Sequence, residues 1–146
     1  MKGVILAGGN GTRLYPLTKV INKHLLPVYN KPMIYYPIER LVSAGITDII
    51  IVTGKENAGD FMNLLGSGKE FGAKFHYVLQ DEAGGIAHAL SLVEGFVNED
   101  SMTVILGDNI ILHDISEYVN NFRRKAQGAE VKLCGYRDIP IRQYCV

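Results

Sequence analysis

The chain alternates between short apolar runs rich in β-branched residues and longer segments in which apolar positions recur every three or four residues. Five of the short runs, Lys2 to Ala7, Asp48 to Thr53, Lys74 to Gln80, Met102 to Leu106 and Glu130 to Gly135, have the length and composition of buried strands. After Pro32, residues Ile34, Ile38, Leu41 and Val42 follow the spacing of one helix face, and Ala44-Gly45 supplies a stop. Ile86, Ala89, Leu90 and Val93 repeat the pattern. Asp114 with Glu117 forms a capping-box pattern ahead of Ile115, Tyr118, Val119 and Phe122, and Gly128 is placed to close that helix.

Strands alternating with helices of this length require right-handed crossovers onto a mostly parallel sheet with helices on both faces. The pattern therefore predicts a doubly wound, Rossmann-like α/β fold. In such sheets ligands gather at the carboxyl ends of the strands, so residues that directly follow the apolar runs are the candidates for chemistry. A length of 146 residues suits one ordinary core, and no linker, internal repeat or low-complexity tract divides it. One domain over 1–146 is expected.

Charge and composition narrow the choice of ligand. Fifteen basic residues balance fifteen acidic ones, for a formal charge of zero. There is no basic field to attract a nucleic-acid backbone or an anionic membrane, and neither is expected as a partner. The apolar run before Gly8 and Gly9 is too short for a signal peptide or a membrane span, which predicts a cytoplasmic protein. Cys134 and Cys145 form no CxxC pair, and His24, His76, His88 and His113 are scattered. Neither a disulfide framework nor a zinc site is implied, and the histidines are expected to be structural or surface residues.

The segment Leu6-Ala7-Gly8-Gly9-Asn10-Gly11-Thr12-Arg13-Leu14 comes straight off the first strand. Glycines there let backbone approach a ligand and aim successive N–H groups at an anion, the outline of a phosphate cradle. It is not the dinucleotide fingerprint, because counting from Gly9 puts Leu14 where GxGxxG needs a third glycine. It is not a P-loop either, since Gly11 is followed by Thr12 and Arg13 rather than Lys and Ser or Thr. Arg13 can grip phosphate oxygens in bidentate fashion, and Lys23, ten residues on, offers a flexible ammonium. The plainer reading of the same residues is a tight strand-to-helix turn with solvated cations.

The block LAGGNGTRLYPLT, followed by NKHLLPVYNKPMIYYPI, closely resembles the signature of the sugar-1-phosphate nucleotidyltransferases, and the second block most resembles their thymidylyltransferase branch. The resemblance implies that Gly8, Gly9, Gly11 and Thr12 lie at the nucleotide and that Arg13 and Lys23 hold its triphosphate. Gln80, at the end of the third strand, and Gly85, opening the next helix, match positions that read the pyrimidine. A glutamine can pair with the carbonyl and N–H edge that thymine and uracil share. Asp108 follows the fourth strand in Gly107-Asp108-Asn109, where a turn former and a metal ligand are both in keeping with its type. It matches the family's metal-binding aspartate, with Mg2+ as the implied cofactor.

The reaction implied is attack of a sugar 1-phosphate oxygen, glucose 1-phosphate being expected, on the α-phosphorus of a nucleoside triphosphate, with pyrophosphate leaving. TTP is the expected donor and UTP the alternative. The attacking phosphate is already anionic, so positioning and charge neutralisation by Arg13, Lys23 and metal-bound Asp108 should carry the catalysis. The resemblance runs from residue 1 to about 144 but covers only the nucleotide-binding half of a typical member, and Cys145 stands where the family usually has glycine. The sugar contacts, a further lysine and a second metal-binding aspartate are expected in the other half. A non-catalytic nucleotide-binding module or an inactive truncated homologue is therefore the alternative. Exposed apolar surface on a half-length domain predicts a homo-oligomer or a partner chain.

Overall fold

In the computed structural model, residues 1–125 are described except Asn10, Ala83 and Glu99. Four parallel strands, β1 (Lys2–Ala7), β4 (Asp48–Gly54), β5 (Lys74–Gln80) and β6 (Met102–Leu106), pair in the order β5-β4-β1-β6. A short antiparallel ribbon, β2 (Pro27–Val28) against β3 (Lys31–Pro32), stands apart in the connection after β1. The helices are α1 (Tyr35–Ser43), α2 (Ala58–Leu65), α3 (Gly85–Ser91), α4 (Glu94–Val97) and α5 (Ser116–Lys125).

Both faces of the sheet are apolar, which is why its strands read as unbroken runs. Ile5, Ala7, Ile49, Ile51, Phe75 and Ile105 point to one side, where α1, α2 and α5 add Ile38, Leu41, Phe61, Leu65 and Val119. Val4, Leu6, Ile50, Val52 and Val78 point to the other, against Ala89, Val93 and Val97 of the α3–α4 segment. The doubly wound expectation holds. Chain order moves outward from β1 to β4 to β5, then returns across the sheet to β6. Right-handed crossovers put the helices of the outward and returning connections on opposite faces. The point of reversal lies between β1 and β6, and a crevice opens there at their carboxyl ends.

Several details differ from expectation. The segment from Ile86 to Val93 is not one helix: α3 ends at Ser91, and α4 starts at Glu94 after a tight turn in which Val93 N–H bonds to Leu90 O at 3.2 Å. Ala89, Val93 and Val97 keep a four-residue spacing through the break, so the apolar pattern does not register it. Asp114 does cap α5, but its carboxylate takes the N–H of Ser116 at 2.9 Å, one residue short of the capping-box partner. Ser116 Oγ also donates to Ser43 O at 3.2 Å, tying α5 to the end of α1. The expected fifth strand at Glu130 to Gly135, the closing Gly128 and both cysteines lie outside the described residues. Among the described residues no helix is long and apolar enough to cross a membrane.

Candidate nucleotide site at the sheet switch point

The ends of β1 and β6 are joined by a hydrogen bond from Gly107 N–H to Leu6 O at 2.8 Å, so the glycine loop after β1 and the Asp108 turn after β6 face one another. Gly9 and Gly11 have φ values of 100° and 57°, conformations that favour glycine. Gly11 opens a single turn over Thr12–Leu14, and its carbonyl accepts a 2.8 Å hydrogen bond from Thr18 Oγ1. Gly8 serves a different purpose. A Cβ built on it would come within 2.9 Å of Gln80 Oε1, so its bare Cα lets the loop close on that amide.

Lys23 begins a second single turn, Lys23–Leu25, capped by the Asn22 side chain, which accepts from His24 N–H at 3.0 Å. The same Asn22 oxygen lies 2.7 Å from His24 Nδ1. The His24 ring is buried under the Asp108 turn, and a Cβ on Gly107 would meet its Cδ2 at 2.8 Å. Burial first, and the neighbouring Lys23 ammonium second, lower the His24 pKa to about 4, against a smaller upward pull from Asp108. His24 is therefore neutral near pH 7, and Nδ1–H donates to Asn22. This turn presents Lys23 Nζ to Asp108 Oδ2 at 2.6 Å, an ion pair spanning 85 residues of sequence. Partial burial pushes the Asp108 carboxyl upward, but the hydrogen bond and charge of Lys23 and further smaller effects outweigh it, leaving the net pKa below the usual carboxylate value.

These groups surround a cleft of about 300 Å³. Gly8, Gly9, Lys23, Gln80, Gly85 and Asp108, all expected at the site, line it. Leu6, Val52, Ile86, Ala89 and Leu106 give the remaining wall an apolar character suited to a flat ring. Gly11, Thr12 and Arg13 belong to the same loop but do not line the cleft. Arg13 is exposed and forms no ion pair with the described residues. The apolar wall and His88 were not singled out from the sequence. The signal for His88 was its place in the first turn after Gly84-Gly85, close to Gln80.

The donor set can be tested against a divalent cation. Among the described residues no group of three His, Cys, Asp or Glu side chains forms a metal cage. Among the described residues Asp108 is the sole acid lining the cleft, and Lys23 engages one of its two oxygens. That set fits a magnesium-like cation, which takes one or two protein carboxylates and completes its shell with phosphate oxygens and water.

A parallel sheet with a glycine loop, a lysine–aspartate pair and an amide-edged apolar wall at its switch point defines an α/β protein suited to phosphorylated nucleotides. The chain belongs to the nucleotidyl transferase family, whose model matches residues 2–146. It is 46% identical over 138 residues to a glucose-1-phosphate thymidylyltransferase of Neisseria gonorrhoeae, an alignment covering 94% of this chain and 47% of that protein. A Bacillus anthracis crystal structure described as a glucose-1-phosphate thymidylyltransferase, in complex with a sucrose, is similar at TM-score 0.85 and 59% identity, with 88% of this chain and 52% of that one covered. A UDP-glucose pyrophosphorylase solved with UDP-glucose gives TM-score 0.68 at 29% identity, covering 84% and 53%. The family resemblance drawn from the sequence is thus borne out, and the chain spans about half the length of the relatives it matches.

Proposed function

We propose that this chain binds a pyrimidine nucleoside triphosphate in the switch-point cleft and takes part in nucleotidyl transfer from TTP to glucose 1-phosphate. The observation that carries the reading is the Lys23–Asp108 pair beside the glycine loop, within the same cleft as Gln80. Gln80 would read the base edge while Leu6, Ile86 and Leu106 cover its faces. Lys23 would neutralise triphosphate oxygens, with exposed Arg13 as a further cation on the loop after Gly11. A sugar-phosphate oxygen forms a bond to the α-phosphorus, the bond from that phosphorus to the β-bridging oxygen breaks, and pyrophosphate departs. No general base is required of the chain, so its contribution is alignment and charge. A divalent cation held by Asp108 and the phosphates would supply Lewis-acid neutralisation of the departing charge. The donor preference for TTP over UTP draws its support from the names of the relatives, because Gln80 addresses an edge common to both bases.

Titration with TTP, UTP and CTP, with and without magnesium, followed by a pyrophosphate-release assay with glucose 1-phosphate, tests the reading. TTP binding with release is expected. No pyrimidine binding would refute it. A binding module without turnover is the second reading, favoured by Asp108 being the single carboxylate in the cleft lining among the described residues. It predicts TTP binding and no release.

A further inference from the structure

Gln80 is held from behind by a residue outside the proposed machinery. Its Nε2 lies 3.2 Å from His88 Nδ1, and the Gln80 side chain is buried. An amide nitrogen carries only donors, so this bond requires Nδ1 to be the bare, accepting nitrogen of the ring. The other end of the amide, Oε1, is then left facing Gly8, where a Cβ would stand 2.9 Å away, and both residues line the cleft.

Gly84 supplies an independent observation. Its φ of −85° and ψ of 10° are those of the third residue of a type I turn, which most residue types adopt, so the backbone does not call for glycine there. A Cβ at Gly84 would, however, meet His88 Nδ1 at 2.2 Å. The missing side chain is what leaves the imidazole room to lean across the start of α3 onto Gln80.

We infer that His88 is a positioning residue for base selection: by holding Gln80 Nε2 it fixes Oε1 toward the cleft, so the site accepts the N3–H of thymine or uracil and opposes the bare N3 of cytosine. The inference rests on the reading of Gln80 as the base-contacting side chain. Without an acceptor at residue 88 the amide is free to turn over and offer Nε2 instead, which suits cytosine.

Calorimetric titration with TTP and CTP tests this in the unaltered chain and in His88→Leu, His88→Asn, Gly84→Ala and Gln80→Leu. His88→Leu, which removes the acceptor, and Gly84→Ala, which displaces the ring, should each lower the TTP-over-CTP affinity ratio about five- to tenfold, the worth of one hydrogen bond. His88→Asn should restore the ratio, because its Oδ1 occupies the place of Nδ1. A merely structural role for His88 would weaken both nucleotides together and leave the ratio unchanged, which overturns the inference. If Gln80→Leu leaves the ratio intact, or the unaltered chain binds no TTP, the reading of Gln80 fails and takes this one with it. If Gln80→Leu collapses the ratio while His88→Leu and Gly84→Ala preserve it, only the role of His88 is lost.

Discussion

Burial of His24 makes the stability of the chain depend on pH in a window separable from that of its carboxylates. The folded pKa is lowered from 6.5 to about 4. Between those values the unfolded chain carries a proton on His24 and the folded chain does not, so folding stability rises with pH across the window and falls as the solution is acidified. At about 1.4 kcal/mol per pKa unit, the full cost of reaching acid pH is about 3 kcal/mol, a large share of the stability of a small domain. Asp48, Asp100 and Asp108 act lower on the scale. Their folded pKa values are depressed, so the stability they add is present above the ordinary carboxylate pKa and is lost only as pH falls below it. Urea unfolding near pH 7 and near pH 4.5, in the unaltered chain and in His24→Asn, isolates the histidine, since any constant packing cost of the substitution cancels in the pH difference. The unaltered chain should lose about 2 kcal/mol more than the variant over that interval. Parallel losses would mean that folded His24 takes its proton at an ordinary pH, refuting the claim that it is sealed beneath the Asp108 turn.

Three further perturbations probe other levels of the structure. Asp108→Asn removes the anionic partner of Lys23 and the candidate metal ligand, and should reduce magnesium-dependent pyrophosphate release at least tenfold, about 1.4 kcal/mol or more, while Arg13→Ala should chiefly raise the TTP concentration needed; unchanged kinetics in both would remove these residues from the mechanism. Gly8→Ala drives a Cβ to 2.9 Å from Gln80 Oε1 and should weaken TTP binding by calorimetry while costing only about 1 kcal/mol of stability; unimpaired binding would place Gln80 outside base contact. Phe61→Ala empties a fully buried position between α2 and the sheet and should cost about 3–5 kcal/mol in denaturant unfolding; a loss below about 1 kcal/mol would show that α2 does not anchor that face.

The four strands of the parallel sheet and α1 could be read from the chain because their signal is local: runs such as Ile49-Ile50-Ile51-Val52 are apolar on both faces, and Ile34, Ile38 and Leu41 repeat at helix spacing, whereas the two-residue strands β2 and β3 are too short to leave such a pattern. Helix α2 carries a weaker signal, since its buried contacts rest on only Ala58, Phe61 and Leu65 within eight residues, and the break before α4 leaves the buried spacing undisturbed. The site divides in the same way. Most of its residues could be nominated because they close or follow a strand or sit in the glycine loop, and Lys23 because it lies in the block that carries the family resemblance, but their grouping depends on strand order. Lys23 meets Asp108 only because β6 returns to the far side of β1, a choice made by the whole sheet that no spacing along the chain encodes. The same logic explains why Arg13 does not share the cleft lining with Lys23. Gly11 turns the backbone into the Thr12–Leu14 segment before Arg13 is reached, whereas Lys23 is returned to the cleft by the Asn22-capped turn whose histidine seats against Gly107. Placement of the Lys23 ammonium is thus a consequence of packing His24 beneath β6, which couples the stability measured through that histidine to the geometry of the proposed active site.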